Sequence, residues 1–500
     1  MIKIISRASK SKLFLPVSAS LLLALSRLPL HLGFLVFWGL IPLFSFFNEN
    51  RKAKEIILSA FIFSSIYTLV ALHWIGLATF PGFLALFLLF GFYFSILFIL
   101  LNLVWNSLPK LKYIAFICFW MSFEFLQNFG EFRFPWFNIG YSLSDYLPVI
   151  QPAEIGGIYL LSFLIIVVNI LIFELKNNFK RNLIILSTLM IFWTGFGFVR
   201  LNTIELHKTG TSISIVQISI PQKMKWKKNY LDITFQLYRK FSLKAMEEHP
   251  SLIIWPESAT PLYLLKNSEY KEIVKELAKK NNVDIFTGFP HYQYAGESHP
   301  NRYKFYNAAT LFDRSGKIHK PYHKNILVPF GERMPFLKIF PFLWKVQFGQ
   351  ANWEYGEDQE YYEVNGYSFS PLICFEIVFE KLTTKMAQHN VDFIVNITND
   401  AWFKKSAGTY QHAVMTKFRA IETRRQIYRA ANTGYSLVVS PTGEYLQESR
   451  LFEKTTLNEE LLLYPKKSFF TKYLFWLPIV FVVGGVIILG KFLFNLKNKK

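Results

Sequence analysis

Two cysteines in 500 residues exclude a disulfide framework. Charge is scarce as well: charged side chains supply 18% of the chain, against roughly 25% in soluble domains. Acidic residues are the scarcer sign, with 34 Asp and Glu against 55 Lys and Arg and a net charge of +21. The sequence has no GxxxxGK[ST] phosphate loop, no histidine cluster of metal-ligand type, no internal repeat and no low-complexity tract. Neither a metal nor a cofactor is therefore expected. What is abundant is apolar: 52% of residues are hydrophobic and 53 are Phe, which excludes disorder and a wholly soluble fold.

The position of the basic residues separates a membrane from a nucleic acid as the source of their number. Residues 1–200 hold 15 Lys and Arg and 7 Asp and Glu, the basic ones in short gaps between apolar runs. Chains that face anionic lipid headgroups are charged in this way. No nucleic-acid motif is present, so no nucleic-acid partner is expected. A spanning helix needs about 20 mostly apolar residues. Candidates lie at 13–30, 31–48, 56–78, 83–105, 112–129, 156–175 and 182–200, with an eighth at 472–494. The first is read as a retained helix rather than a cleaved signal peptide, because further spans follow at once.

Alternate gaps differ in charge. One set is basic: Lys3, Arg7, Lys10 and Lys12; Arg51, Lys52 and Lys54; Lys110 and Lys112; Lys176, Lys180 and Arg181; Lys497, Lys499 and Lys500. The other is not: Gly76–Gly82 is uncharged, and Gly130–Gly157 sets Arg133 against Glu131, Asp145 and Glu154. The positive-inside rule makes the first set, and both termini, cytoplasmic. The expected division is a seven-helix transmembrane domain at 1–205, an exported domain at 206–468, and a final helix with a basic tail at 469–500.

Within 206–468 short β-rich runs alternate with helical stretches: 212–220, 252–255, 284–288, 307–312, 370–375, 393–397 and 436–439. In Glu269–Lys280, Ile273, Val274 and Leu277 share one helical face. The alternation indicates an α/β domain with a covered sheet. Three residues here carry candidate chemistry. Cys374 is the lone cysteine of the region and ends an apolar strand, where α/β sheets present catalytic groups. It is either a reactive thiol or buried filler. Cys118, in a candidate span, reads as a small buried hydrophobe. A thiol nucleophile needs a base and a positive or N–H-rich site for its tetrahedral intermediate. Glu257, in Trp255-Pro256-Glu257-Ser258, is a carboxylate at a strand end, or a loop-surface residue. Lys324 precedes the apolar turn Ile326–Phe330, but spacing alone does not single it out from the other basic residues.

Together these residues resemble the Glu–Lys–Cys triad of the nitrilase superfamily. The surrounding segments resemble its membrane branch, the apolipoprotein N-acyltransferases. The likeness rests on Pro221-Gln222 with Trp226, Trp255–Ser258, Lys324 with Leu327–Glu332, Ile373–Glu376, Asn399–Phe403 and Arg419–Glu422. In the membrane part it rests on Phe134-Pro135-Trp136 with Gly140-Tyr141. One departure is Phe375, where the family often has Tyr. The resemblance implies a polytopic helical protein with an exported α/β nitrilase-like sandwich. It implies transfer of an acyl chain from a phospholipid, typically phosphatidylethanolamine, through a Cys374 thioester to the N-terminal amine of an S-diacylglyceryl-cysteine lipoprotein. Glu257 would be the general base, and Lys324 with the Phe375 N–H would hold the oxyanion. Glu332 would orient Lys324 or form a plain ion pair, Glu376 would hold the turn, and Trp226 falls among the supporting residues. The alternative is a membrane-anchored amidase or esterase that uses water.

Three further features have two readings each. Glu124, in the fifth span, either touches headgroups or reaches the interface. The stretch 334–345 is either a core loop or an aromatic arm entering the membrane surface. His73 and His412 read as packed, structural residues.

Overall fold

The computed structural model describes residues 13–49, 51–297, 302–346 and 352–498. The basic residues Lys3, Arg7, Lys10, Lys12, Lys499 and Lys500 lie outside them. The described residues divide into two compact units. One takes them from Met1–Gly76, Phe80–Asn202 and Tyr473–Lys500; the other from Leu77–Thr79 and Thr203–Lys472.

The first unit is helical: α1 (Phe14–Leu25), α2 (Ile41–Phe47), α3 (Ala53–Ala71), α4 (Phe80–Ser107), α5 (Lys112–Leu126), α6 (Ala153–Glu174), α7 (Phe179–Thr203) and, after the second unit, a C-terminal helix (Trp476–Lys497). Among the described residues five helices are long and apolar enough to cross a membrane: α3, α4, α6, α7 and the C-terminal one. The remaining three expected spans are shorter than an unbroken crossing, with 12 residues in α1, 7 in α2 and 15 in α5. Each interruption has a local cause. The run after α1 meets Pro29, which removes a donor and disfavours helix before it. Before α2 the chain breaks near Leu40, and a side chain from α6 supplies the missing bonds. The Leu40 N–H donates to Asn169 Oδ1 (2.9 Å), and Asn169 Nδ2 donates to the Val36 carbonyl (2.9 Å). Apolar surroundings demand that every backbone group be satisfied within the protein, and one buried amide meets the demand here.

Two acidic residues of this unit, Glu154 and Glu124, have defined partners. Arg200 of α7 binds Glu154 of α6 at 2.6 Å, so the guanidinium near the end of an apolar helix is not alone. Glu124 neither touches the surface nor reaches an interface; it is fully buried. Its Oε1 accepts from Trp120 Nε1 (3.0 Å) and from the Ile139 N–H (3.1 Å), tying α5 to the Phe134–Tyr141 loop. His73, expected to be packed, is exposed because α3 ends at Ala71.

The described residues of the second unit form twelve strands in two six-stranded sheets. The first runs β12 (Thr455–Leu463), β1 (His207–Gln217), β2 (Leu252–Ile254), β3 (Asp284–Tyr294), β4 (Tyr303–Phe312), β5 (Tyr322–His323). The second runs β11 (Tyr445–Glu448), β10 (Leu437–Val439), β9 (Gln426–Ala431), β8 (Phe393–Thr398), β7 (Tyr367–Ile373), β6 (Tyr362–Val364). Parallel pairs β1–β2–β3 and β7–β8–β9 form the middle of each sheet. Period-two alternation builds the layers. Ile213, Ile215, Leu252, Ile254 and Phe286 face Phe369, Ile373, Phe393, Val395 and Ile397 across the space between the sheets. The alternate residues Val216, Ile253 and Ile285 pack outward on helices Leu231–Met246 and Ser268–Lys280. Helices Glu380–Gln388 and Ala407–Thr423 accompany the second sheet. The result is the expected sandwich, with catalytic candidates at the carboxyl ends of β2 and β7.

Candidate active site

The chain enters the site three times. β2 ends at Ile254, and the following turn carries Glu257; β5 is followed at once by Lys324; β7 is followed at once by Cys374. Non-glycine residues take positive φ at two of these entries, Ser258 (47°) and Cys374 itself (52°), and Phe330 (63°) does so six residues after Lys324. Each such residue costs about 1–3 kcal/mol, so the surrounding bonds must hold it. Gly288 of β3 makes room for the first turn. A Cβ there would lie 2.9 Å from Glu257 Cα and from the Ser258 N.

The side chains converge. Lys324 is fully buried, with Nζ 2.9 Å from Glu332 and 3.9 Å from Glu257 Oε1. Asn307 of β4 donates to Glu257 Oε1 (2.6 Å) and to Glu332 Oε1 (3.2 Å), fixing both carboxylates against the one cation. Glu332 also accepts from the Val328 N–H (2.9 Å), closing the Val328–Glu332 turn. Glu376, fully buried, ties two entries together. It accepts from Tyr322 Oη (2.8 and 2.9 Å), the Asn325 N–H (2.6 Å), the Ile326 N–H (3.1 Å) and the Ile373 N–H (2.7 Å). Glu376→Ala would strand three backbone N–H groups, each worth about 1–3 kcal/mol when left unpaired. Denaturant unfolding in micelles is expected to show a loss of at least about 3 kcal/mol; a loss within error of zero would refute the clamp.

The electrostatics suit proton exchange. Burial pushes the Cys374 thiol up, the Glu257 charge adds to this, and Lys324 opposes it. Burial also raises Glu257, against the pull of Lys324, while Glu332 reinforces the rise. Lys324 stays firmly charged: burial disfavours its ammonium, but Glu332, Cys374 and Glu257 outweigh that. Cys374 is therefore a resting thiol beside a carboxylate of raised proton affinity and a fixed cation. Burial raises Glu376 to about 7 against its four donors.

Other residues belong to this site that the sequence did not assign. Trp226 is 46% exposed, whereas its neighbour Lys225 is buried and donates Nζ to the Glu257 carbonyl (3.0 Å). Burial lowers Lys225 to about 8. Asn307 and Arg429 sit within buried strands, and a charged or amide side chain inside an apolar run is the signal that could have marked them. Sulfur, carboxylate and imidazole donor atoms of Cys374, Asp400 and His412 lie within 4.8 Å of one another. The guanidinium of Arg429, 2.8 Å from Asp400 and 3.0 Å from His412 Nδ1, already supplies the cation there. The 334–345 stretch divides between its two readings: Met334, Pro335 and Leu337 are buried, and Lys338–Phe342 are exposed.

Residues 212–463 match the carbon-nitrogen hydrolase family, and residues 19–171 match the apolipoprotein N-acyltransferase N-terminal domain. Apolipoprotein N-acyltransferase of Geobacter metallireducens is 33% identical over 370 residues, covering 72% of this chain and 70% of that protein. This chain belongs to the apolipoprotein N-acyltransferase family. The family's protein from Chlorobaculum tepidum is 28% identical over 97% of both chains, and that from Rickettsia typhi 32% identical over 75% of this chain and 76% of its own. Among solved structures, an amidase from Nesterenkonia sp. covers 54% of this chain and 95% of its own at 16% identity, with a TM-score of 0.40. Family membership and the apolar helices make this a multi-pass membrane enzyme with a nitrilase-type domain.

Proposed function

We propose that this protein transfers a fatty acyl chain from a phospholipid to the N-terminal amine of S-diacylglyceryl-cysteine in apolipoproteins, through a thioester on Cys374. The convergence of Glu257, Lys324 and Cys374 at three strand ends, in a chain of this family, carries the reading. Glu257 takes the thiol proton as sulfur attacks the ester carbonyl, and the new oxyanion is met by Lys324 and the Phe375 N–H. Collapse breaks the ester C–O bond, and Glu257 returns the proton to the leaving glycerol oxygen. The lysophospholipid departs. The lipoprotein amine then attacks the thioester, Glu257 accepts its proton, the C–S bond breaks, and the proton returns to sulfur. Glu332 holds Lys324, and Glu376 fixes the Cys374 turn.

Purified protein in mixed micelles with phosphatidylethanolamine should acylate a diacylglyceryl-cysteine peptide. Free fatty acid released at the same rate with or without the peptide would instead make water the acceptor and favour the amidase or esterase reading.

The basic gaps, together with the family, support this placement: a multi-pass protein of the bacterial inner membrane, both termini cytoplasmic and the catalytic domain on the periplasmic face. A reporter active only outside the cytoplasm is expected to work when fused near Lys317 and to fail after Lys500. The reverse pattern would put the enzyme on the wrong side for its acceptor.

The exposed tip Lys338–Phe342 supports contact between this domain and lipid. Ile339 and Phe342 are 66% and 67% exposed, with Lys338 beside them, the mixture that enters a membrane interface. Phe340→Asp with Phe342→Asp is expected to slow acyl transfer from bilayer phospholipid about tenfold, while alkylation of Cys374 by iodoacetamide is unchanged. Full activity of the folded double variant on vesicles would remove the tip from the reaction.

A further inference from the structure

His412 lies in helix Ala407–Thr423, outside the Glu257–Lys324–Cys374 set, yet it faces the nucleophile. Its Nε2 is 3.2 Å from the main-chain carbonyl oxygen of Cys374. Its Nδ1 is 2.9 Å from Asp400 Oδ1 and 3.0 Å from Arg429 Nη2. The ring is 1% exposed, as is Asp400, and Arg429 is fully buried.

These contacts fix the ring's donor. A carbonyl oxygen has no proton to give, so Nε2 must carry the hydrogen. If Nδ1 is bare, it accepts from Arg429; if protonated, it donates to Asp400. With Nε2 protonated, as this contact requires, the ring donates to the Cys374 carbonyl both neutral and as the imidazolium; the neutral Nδ1–H tautomer, which donates to Asp400 alone, would not. The supports are themselves anchored. Asp400 accepts from Thr398 Oγ1 (2.9 Å) and from Arg429 Nη2 (2.8 Å), and Arg429 Nη1 donates to Asn396 Oδ1 (2.5 Å). Asn396, Thr398 and Arg429 stand on the paired strands β8 and β9, next to β7. The bond therefore runs from side chains anchored on paired strands to Cys374, whose φ is 52°.

We propose that His412 is a positioning residue: held by Asp400 and Arg429, it donates Nε2–H to the Cys374 carbonyl and so fixes the left-handed conformation from which the thiol attacks. This rests on Cys374 as the nucleophile of the proposed transferase. His412 moves no proton and touches no substrate. It sets the plane of the Cys374–Phe375 peptide, and with it the direction of the Phe375 N–H assigned to the oxyanion.

The test compares His412→Ala, His412→Leu and His412→Gln in the full-length protein in micelles. Gln retains an amide N–H able to reach the carbonyl; Ala and Leu do not. Single-turnover acylation from phosphatidylethanolamine is expected to fall at least tenfold in the Ala and Leu variants. The concentration of donor giving half-maximal rate should stay within twofold, and Gln should recover much of the rate. A role in packing alone predicts another pattern, in which Leu, nearest in bulk, is best and the donor makes no difference. That pattern, or wild-type acylation by folded His412→Ala, would overturn the proposal. If Ala does not fold, the Leu and Gln comparison decides by the same criterion. Iodoacetamide labelling of Cys374 in each variant needs no acyl donor. It should slow in step with acylation, and unchanged labelling in all three would also overturn the proposal. Absence of an acyl adduct in the unmutated protein would count against the transferase reading instead.

Discussion

Cys374→Ser is expected to reduce acyl transfer by about 10³-fold or more, with folding intact. Oxygen replaces sulfur with little change in volume at a partly buried position. The chemistry changes far more. Burial and the Glu257 carboxylate already push the thiol above its ordinary range, and a hydroxyl starts much higher still. Glu257 can hold the thiol's proton because burial raises its own affinity; it cannot hold a serine's as readily. Rates of peptide acylation, with unfolding followed in parallel, check this. Serine activity within tenfold of cysteine would mean that another nucleophile carries the chain.

Lys324→Met should be nearly as damaging to the rate and far more damaging to stability. The ammonium stands between Glu332 at 2.9 Å and Glu257 at 3.9 Å, fully buried. Removing it leaves two buried carboxylates sharing Asn307. Breaking a buried pair from one side costs about 3–5 kcal/mol, because the partner is left charged without compensation. Protonating one carboxylate relieves the strain, so the variant should recover stability as pH falls through the raised range of Glu257. The double variant Lys324→Met, Glu332→Gln removes one of the two stranded charges and the repulsion between them. It is expected to regain most of the stability and none of the acyl transfer. Denaturant midpoints and initial rates for the three proteins separate the two roles. Recovery of activity in the double variant would make Lys324 purely structural.

Much of this architecture was legible because apolar runs report burial directly. Runs such as 252–255 and 393–397 became β2 and β8, since an α/β sheet covered on both sides needs near-continuous apolar strands. Hydropathy alone could not show where such a run breaks. The interruption near Leu40 depends on Asn169, 129 residues away in sequence, which supplies the bonds a helix would otherwise make internally. β9 was hidden for the converse reason. Gln426 and Arg429 interrupt the apolar pattern of this strand, but Arg429 is buried against Asp400 and Asn396. His412 looked like an ordinary helical residue because its role depends on a main-chain carbonyl, and no side-chain pattern encodes that. Lys225 was passed over for its larger neighbour Trp226. Only the tertiary fold turns the lysine inward to Glu257 and leaves the indole half exposed.

In the proposed reaction the acyl chain passes through the sulfur of Cys374. This passage is tested most directly by mass spectrometry of the unmutated protein after incubation with phosphatidylethanolamine, before any acceptor is added. The peptide containing Cys374 should gain the mass of one acyl chain, lose it to hydroxylamine as a thioester does, and lose it to a diacylglyceryl-cysteine peptide, which gains the same mass. An unmodified Cys374 peptide from protein that nevertheless acylates the acceptor, or an adduct that persists in Cys374→Ala, would show that the chain does not pass through this sulfur.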